Sequence, residues 1–293
     1  MTKATRPRKI LLATDMSCRC DRALDRAVQL AQEWEAELIA AYVIDPAETR
    51  QFRFDRTPAS WRRLPSPFDR MKWRLKRDLG KSSDSIRILV EEGEPAEVLL
   101  SIAAREGCDI IVTGIARDET LGRMFLGNTV NRLVRGSPVP VLVVHDRAVR
   151  HYRDIVVGTD FSEASLQALL TTAAYFPAAA LTLFHGYDVP FSGYLDEQEF
   201  KRDLGVMEKE LGTKFLADDR VDAPLRARTD VVIAHGSPER LLSDYVEDQH
   251  VDLTVIGSHG RGALFDALIG STAKNLVETL EGDLLIVHYR PKE

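Results

Sequence analysis

The sequence is written twice. KILLATDMS at residues 9–17 returns as DIVVGTDFS at 154–162, setting Asp15 against Asp160. From Glu91 to His145 the chain then aligns without a gap with Ala234 to His288, and roughly a quarter of the paired positions are identical. The matches fall on turn and strand-end residues: Gly93 and Pro95 on Gly236 and Pro238, Asp109 on Asp252, Gly114 on Gly257, Gly127 on Gly270. A 293-residue chain is long enough for one large domain or two ordinary ones. The repeat selects two, expected at 1–148 and 149–293 with a seam near 146–152.

Each half alternates short apolar runs with helical stretches. KILLAT, ELIAAYVI, IRILVE, DIIVTG and PVLVVH in the first half have counterparts DIVVGT, LTLFHG, TDVVIAHG, DLTVIG and LLIVH in the second. Runs without a polar side suit strands of a parallel sheet covered on both faces. Helices are expected near 22–34, 68–79, 95–106 and 127–135, and again near 163–175, 197–216, 239–248 and 271–280. Pro95 suits a first helical turn, where no backbone N–H is required. The fold class is therefore α/β, two tandem doubly wound five-stranded parallel sheets. The proline- and arginine-rich stretch 45–67 and its counterpart 187–195 read as surface excursions.

Composition narrows the function. Lys and Arg number 39 against 45 Asp and Glu, a net charge of −6 that argues against an extended nucleic-acid footprint. No apolar run is long enough to span a bilayer, and the basic start Met1 to Lys9 leads directly into a strand, so no membrane partner and a cytoplasmic location are expected. Cys18, Cys20 and Cys108 are too few for a disulfide framework and lack zinc-site spacing, which favours structural thiols. A lowered thiol pKa for Cys20 in the first turn of a helix is the alternative. His185, His235 and His259 fall near strand ends; exposed or hydrogen-bonded side chains are expected there rather than a metal site.

Open parallel sheets bind ligands beyond the carboxyl ends of their strands, where strand order reverses. Asp15 or Asp160, and Gly114 or Gly257, are delivered to that edge. After Gly257 comes a glycine-punctuated loop through Gly260 to Gly270, Ser271 and Thr272, leading into a helix. Such a loop brings backbone N–H groups and a helix N-terminus to an anion, or serves only to turn tight corners. It is neither a Walker A loop nor a dinucleotide-binding turn. No nucleophile elbow is present, so no catalytic residue is assigned.

The spacing Gly257-x2-Gly260-x9-Gly270-Ser271, with Asp160, the Gly236-x-Pro238 corner and the closing LLIVH strand, resembles the universal stress protein family, in a tandem two-domain form. The resemblance implies sheets in 3-2-1-4-5 order, of the adenine-nucleotide α-hydrolase-like type, and a cleft for ATP, ADP or AMP, with magnesium as a companion ion. It also implies that Asp160 meets the adenine or ribose and that Gly186 touches the adenine. Gly257, Gly260, Gly270, Ser271 and Thr272 would hold ribose and phosphates. Gly186 stands where a β-branched wall residue is usual, as Val43 does in the first half, and is expected to widen the pocket. The first half has Arg117 and Asn128 where the second has Gly260 and Ser271, and is expected to be a degenerate copy. The implied function is a stress-response protein regulated by nucleotide occupancy. A slow ATPase and a nucleotide-free scaffold, or a binder of another small ligand, are the alternatives. The fifth strands are expected to pair the two copies as an intrachain pseudo-dimer, with a homodimer of chains also open.

Overall fold

The computed structural model describes residues 5–16, 20–46, 66–79, 85–114, 116–117, 124–125, 127–187, 210–258, 280 and 282–289. The chain divides into two compact units, one of Pro7–Ala148 and one that contains Val149–Glu293. In the first, the elements run β1 (Lys9–Ala13), α1 (Asp21–Trp34), β2 (Glu37–Ile44), α2 (Pro67–Leu79), β3 (Ile86–Glu92), α3 (Pro95–Glu106), β4 (Ile110–Gly114), α4 (Asn128–Gly136) and β5 (Val141–Val144). A two-residue antiparallel ribbon joins Ala116–Arg117 to Met124–Phe125 between β4 and α4.

All main strands pair in parallel. β1 lies between β2 and β4, β3 flanks β2, and β5 flanks β4, giving the order 3-2-1-4-5. Right-handed crossovers place α1 and α2 on one face and α3 and α4 on the other. The central strands consequently have no wet side: Ile10, Leu11, Leu12, Ile110, Ile111 and Val112 are each at most 1% exposed. Continuous apolar runs are what such burial requires.

The second unit repeats the plan. Its elements are β6 (Asp154–Gly158), α5 (Glu163–Tyr175), β7 (Ala180–Tyr187), a helical stretch at 210–216, α6 (Ala223–Ala227), β8 (Thr229–His235), α7 (Pro238–Asp248), β9 (Leu253–Gly257) and β10 (Asp283–Val287). β6 is again central, between β7 and β9, with β8 and β10 outside them. The expected helix 271–280 lies outside the described residues except for Leu280, which is not helical. Of the expected helix 197–216, only 210–216 is described. The short α6 was not anticipated; Asp222 caps it by accepting from the Leu225 N–H at 2.9 Å.

Several repeated residues are explained by backbone needs. Asp109 accepts from the Arg8 and Lys9 N–H groups at 2.8 and 3.0 Å, and Asp252 does the same for Arg153 and Asp154 at 2.9 and 3.0 Å. Each carboxylate thus ties the start of its unit's first strand to the start of the fourth. The Gly-x-Pro corners are also equivalent. Gly93 and Gly236 have φ of 152° and 137°, their N–H groups donate to Ile44 and Tyr187, and Pro95 and Pro238 then open α3 and α7. Only glycine adopts that φ without strain, and proline in the first turn gives up no helical hydrogen bond.

Candidate functional site

β6 and β9 are adjacent, with β7 beyond the one and β10 beyond the other, so the strand order reverses between them and their carboxyl ends border the switch point of the second unit. Asp160 and Gly257 both stand there. Asp160 follows a turn built by its neighbours. The Thr159 Oγ1 accepts from the Phe161 N–H at 2.9 Å, and Phe161 takes φ 58°, a left-handed conformation that costs a bulky residue about 1 to 2 kcal/mol. The Asp160 Oδ1 accepts from the Ser162 N–H at 3.0 Å and from the Ser165 hydroxyl at 2.6 Å. The Ser165 Oγ in turn accepts from the Asp160 N–H at 3.2 Å, while Ser162 caps α5. The carboxylate is thereby fixed at the rim by a closed set of short-range bonds.

The first unit builds the same turn from different atoms. Thr14 Oγ1 accepts from the Met16 N–H at 3.0 Å, and Met16 has φ 56°. Cys20 stands where Ser165 stands in the second unit, and its sulfur engages both the backbone and the carboxylate of Asp15. Burial, with the Asp15 carboxylate adding to it, pushes the Cys20 thiol up to about 11. The alternative of a helix-activated thiolate fails here because desolvation outweighs the helix terminus. Cys108 is likewise pushed up to about 11 by burial. Cys18 lies outside the described residues.

Two glycines at the second site have packing reasons. A Cβ on Gly257 would stand 3.1 Å from the Ala164 carbonyl oxygen in the first turn of α5. One on Gly186 would stand 2.7 Å from Pro238 Cα. The space beside Gly186 is therefore taken up by the start of α7, and the glycine admits Pro238 instead of widening a pocket. Gly260, Gly270, Ser271 and Thr272, on which the anion-binding expectation chiefly rests, lie outside the described residues, as does His259.

Opposite the Gly186 face, β7 presents His185 and Tyr187, since alternate residues of a strand share a side. His185 Nδ1 is 2.7 Å from the Thr159 carbonyl oxygen, which can only accept, so Nδ1 carries the proton. The rings form a row. Phe215 meets Phe161 at 5.5 Å between centroids, Phe161 meets His185 at 5.0 Å, His185 stacks on Tyr187 at 6.0 Å, and Tyr187 meets His235 at 5.7 Å. Sequence reading missed this row; the period-two pair His185 and Tyr187 was its available signal. His185 and His235 take part in it as planar groups, and among the described residues no three His, Cys, Asp or Glu side chains cluster to hold a metal.

An ionic cluster sits at the start of α5. Arg220 NH2 donates to Glu163 Oε2 at 2.8 Å and to Asp218 Oδ2 at 2.9 Å. Hydrogen bonds from Arg220 hold the half-buried Asp218 carboxyl down to about 2. The cluster braces the loop after 210–216 against the first turn of α5.

The universal stress protein family matches residues 7–145 and again residues 151–288. A universal stress protein of Methanocaldococcus jannaschii is 29% identical over 143 residues, covering 47% of this chain and 81% of that protein. One from Mycolicibacterium smegmatis is 29% identical over 203 residues, 64% of this chain and 65% of that protein. The crystal structure of a universal stress protein from Archaeoglobus fulgidus superposes with a TM-score of 0.62 at 17% identity, covering 96% of this chain and 98% of that one, a likeness of fold.

Proposed function

We propose that this chain, which belongs to the universal stress protein family, binds ATP or a related adenine nucleotide at the carboxyl edge of its second unit and acts as a nucleotide-dependent regulator. The observation that carries the reading is Asp160. It is a carboxylate locked by Ser162 and Ser165 at the switch point, directly beside the strand that feeds the glycine-spaced segment 257–272. A pre-positioned carboxylate suits the hydroxyl and amino donors of a nucleoside. The spaced glycines and Ser271 suit its phosphates, because backbone N–H groups that approach closely hold anions well. Gly186, closed over by Pro238, would reach the base only through its backbone. Magnesium would travel with the triphosphate, and no residue is assigned to it. Nucleotide occupancy, rather than turnover, is the proposed output.

Calorimetry with ATP, ADP and AMP in the presence of magnesium tests the reading, together with mass spectrometry of the supernatant from denatured protein. Binding is expected, and Gly270→Val should remove it because a side chain enters the phosphate cradle, whereas Gly127→Val should leave it intact. No heat with any of the three nucleotides and no released nucleotide would overturn the proposal. Steady release of phosphate from bound ATP would instead establish the ATPase alternative.

A further inference from the structure

The helix α2 carries an outward face that the described residues of its unit do not use. Leu75 and Leu79 bury the inner side of the helix against β3. On the other side Trp73 is 62% exposed, while Phe68, seven residues before Leu75 and so on the inner side at the helix start, is 39% exposed. At 100° per residue, Arg70, Lys76 and Arg77 surround Trp73, with Asp69 as the acidic member and Lys72 and Arg74 at the two borders of the face. The Arg77 guanidinium lies over the indole, its Cζ 5.1 Å from the ring centroid. Lys72, Arg74 and Lys76 are exposed and make no ion pair among the described residues. Trp73 does not pack back on the described residues of its unit; Phe52, Phe54 and Trp61 lie outside the described residues.

The setting makes this basic face unusual for the chain. Residues 66–79 hold five Lys and Arg against Asp69 and Asp78, although the whole chain holds 39 against 45. An exposed indole framed by guanidinium groups costs solvation without returning packing inside the unit. Trp and Arg are also the residues that most often carry protein interfaces.

We propose that the outward face of α2 docks an acidic segment of another protein, with Trp73 seated among apolar side chains and Arg74, Lys76 and Arg77 pairing with carboxylates around it. Three competitors fit less well. A membrane surface would need the apolar side of the helix, and Leu75 and Leu79 are already buried. A nucleic-acid strand favours several stacking platforms in a basic groove, whereas this face offers one ring on a convex helix within a chain of net charge −6. A second copy would meet α2 through a different surface, and such a contact propagates unless it closes into a ring.

The test uses the full chain and a fluorescein-labelled peptide that alternates glutamate with leucine and phenylalanine, read by fluorescence anisotropy. Saturable binding is expected, weakened by added salt as exposed charge pairing requires. Trp73→Ala, which keeps every charge, should weaken it by roughly tenfold or more, as should Arg74→Glu combined with Arg77→Glu. Both variants alter exposed positions, and unchanged thermal melting would verify that they fold. Absence of binding, or binding indifferent to Trp73→Ala, would overturn the proposal. So would tighter binding to oligouridylate or to phosphatidylserine vesicles. Salt-sensitive self-association of the chain that Trp73→Ala abolishes would assign the face to a second copy and equally overturn it.

Discussion

The two units share a backbone and differ in chemistry. Residues 1–148 carry 25 Lys and Arg against 21 Asp and Glu, while residues 149–293 carry 14 against 24. The repeated residues mostly satisfy main-chain demands: Thr14 and Thr159 close the strand-end turn, Asp109 and Asp252 clamp strand starts, and Gly93 and Gly236 supply positive φ. Among the residues that differ are side chains at the carboxyl edge. Met16, Cys20, Tyr42, Val43 and Glu92 in the first unit stand where the second has Phe161, Ser165, His185, Gly186 and His235. Duplication has kept the frame, and the edge of each frame has acquired its own surroundings. Shared fold consequently says little about shared binding.

The largest expected effect is in acid, at a strand end that both units fill with histidine, His145 and His288. His145, at the end of β5, is 4% exposed, and burial pushes its imidazole down to about 4 from an ordinary 6.5. Below about pH 6.5 the unfolded chain takes up this proton and the folded chain does not. The unfolded state therefore binds more protons, and stability falls as pH drops from 6.5 toward 4, by about 3 kcal/mol from this group. Urea unfolding at pH 7 and pH 4.5, for the native chain and a His145→Leu variant, measures the contribution. The pH dependence of the difference between the two should follow this window. If the variant loses stability in acid as steeply as the native chain, the buried neutral imidazole is wrong.

Next in size is the exchange of Gly186 and Val43. A Gly186→Val side chain meets Pro238 Cα at a distance no real Cβ tolerates, and α7 or β7 must shift. Overpacking of this kind costs about 2 kcal/mol. The converse Val43→Gly removes a half-buried strand side chain in the first unit and should cost about 1 kcal/mol, through backbone entropy and lost packing. Thermal melting of the two variants ranks them. Equal small losses would mean that Pro238 yields easily and that Gly186 has no packing role.

Much of the fold was legible because buried parallel strands leave an unmistakable record. KILLAT-like runs with no polar side, Pro95 and Pro238 in first turns, and the Thr-Asp pairs all locate elements without any tertiary knowledge. Helix α3 and helix α5 begin and end where sequence periodicity puts them. The edge chemistry was less legible, since it depends on register and crossing. That Tyr187 stands beside His235 follows from the pairing of β7 with β8, and that Gly186 admits Pro238 follows from where α7 starts. Neither is written in local spacing. The fate of Cys20 turned on a competition between helix terminus and burial that sequence cannot weigh, because burial is set by the whole unit.

Asp160→Ala separates the structural from the binding duty of the rim carboxylate. It deletes the acceptor of the Ser162 N–H and the Ser165 hydroxyl, and a stability loss of about 1.5 kcal/mol is expected from two such bonds at a partly buried site. Asp160→Asn keeps the shape and one acceptor oxygen and should recover most of that stability. If Asp160→Asn melts near the native temperature yet binds ATP as tightly as the native chain, the carboxylate serves the turn alone, and the proposed contact to the nucleoside fails.

The smallest effect is the most direct test of equivalence between the units. Cys20→Ser installs in the first turn the hydroxyl that the second turn already uses, opposite an aspartate held by the same Thr-Asp backbone. Serine is also the better residue at the N-cap position that Cys20 occupies in α1. Stability should change by less than about 0.5 kcal/mol, because the exchanged atoms meet the same partners and a hydroxyl donates to a carboxylate at least as well as a thiol. The thiol it replaces should be sluggish toward a disulfide reagent. Its pKa of about 11 against an ordinary 9.0 leaves about a hundredfold less thiolate at neutral pH. Both readings belong on a Cys18→Ser background, so that Cys20 and the buried Cys108 are the thiols that remain. Rapid modification of Cys20, or a serine variant that melts several degrees lower, would mean that the two turns are alike in backbone only and that Asp15 is not the counterpart of Asp160.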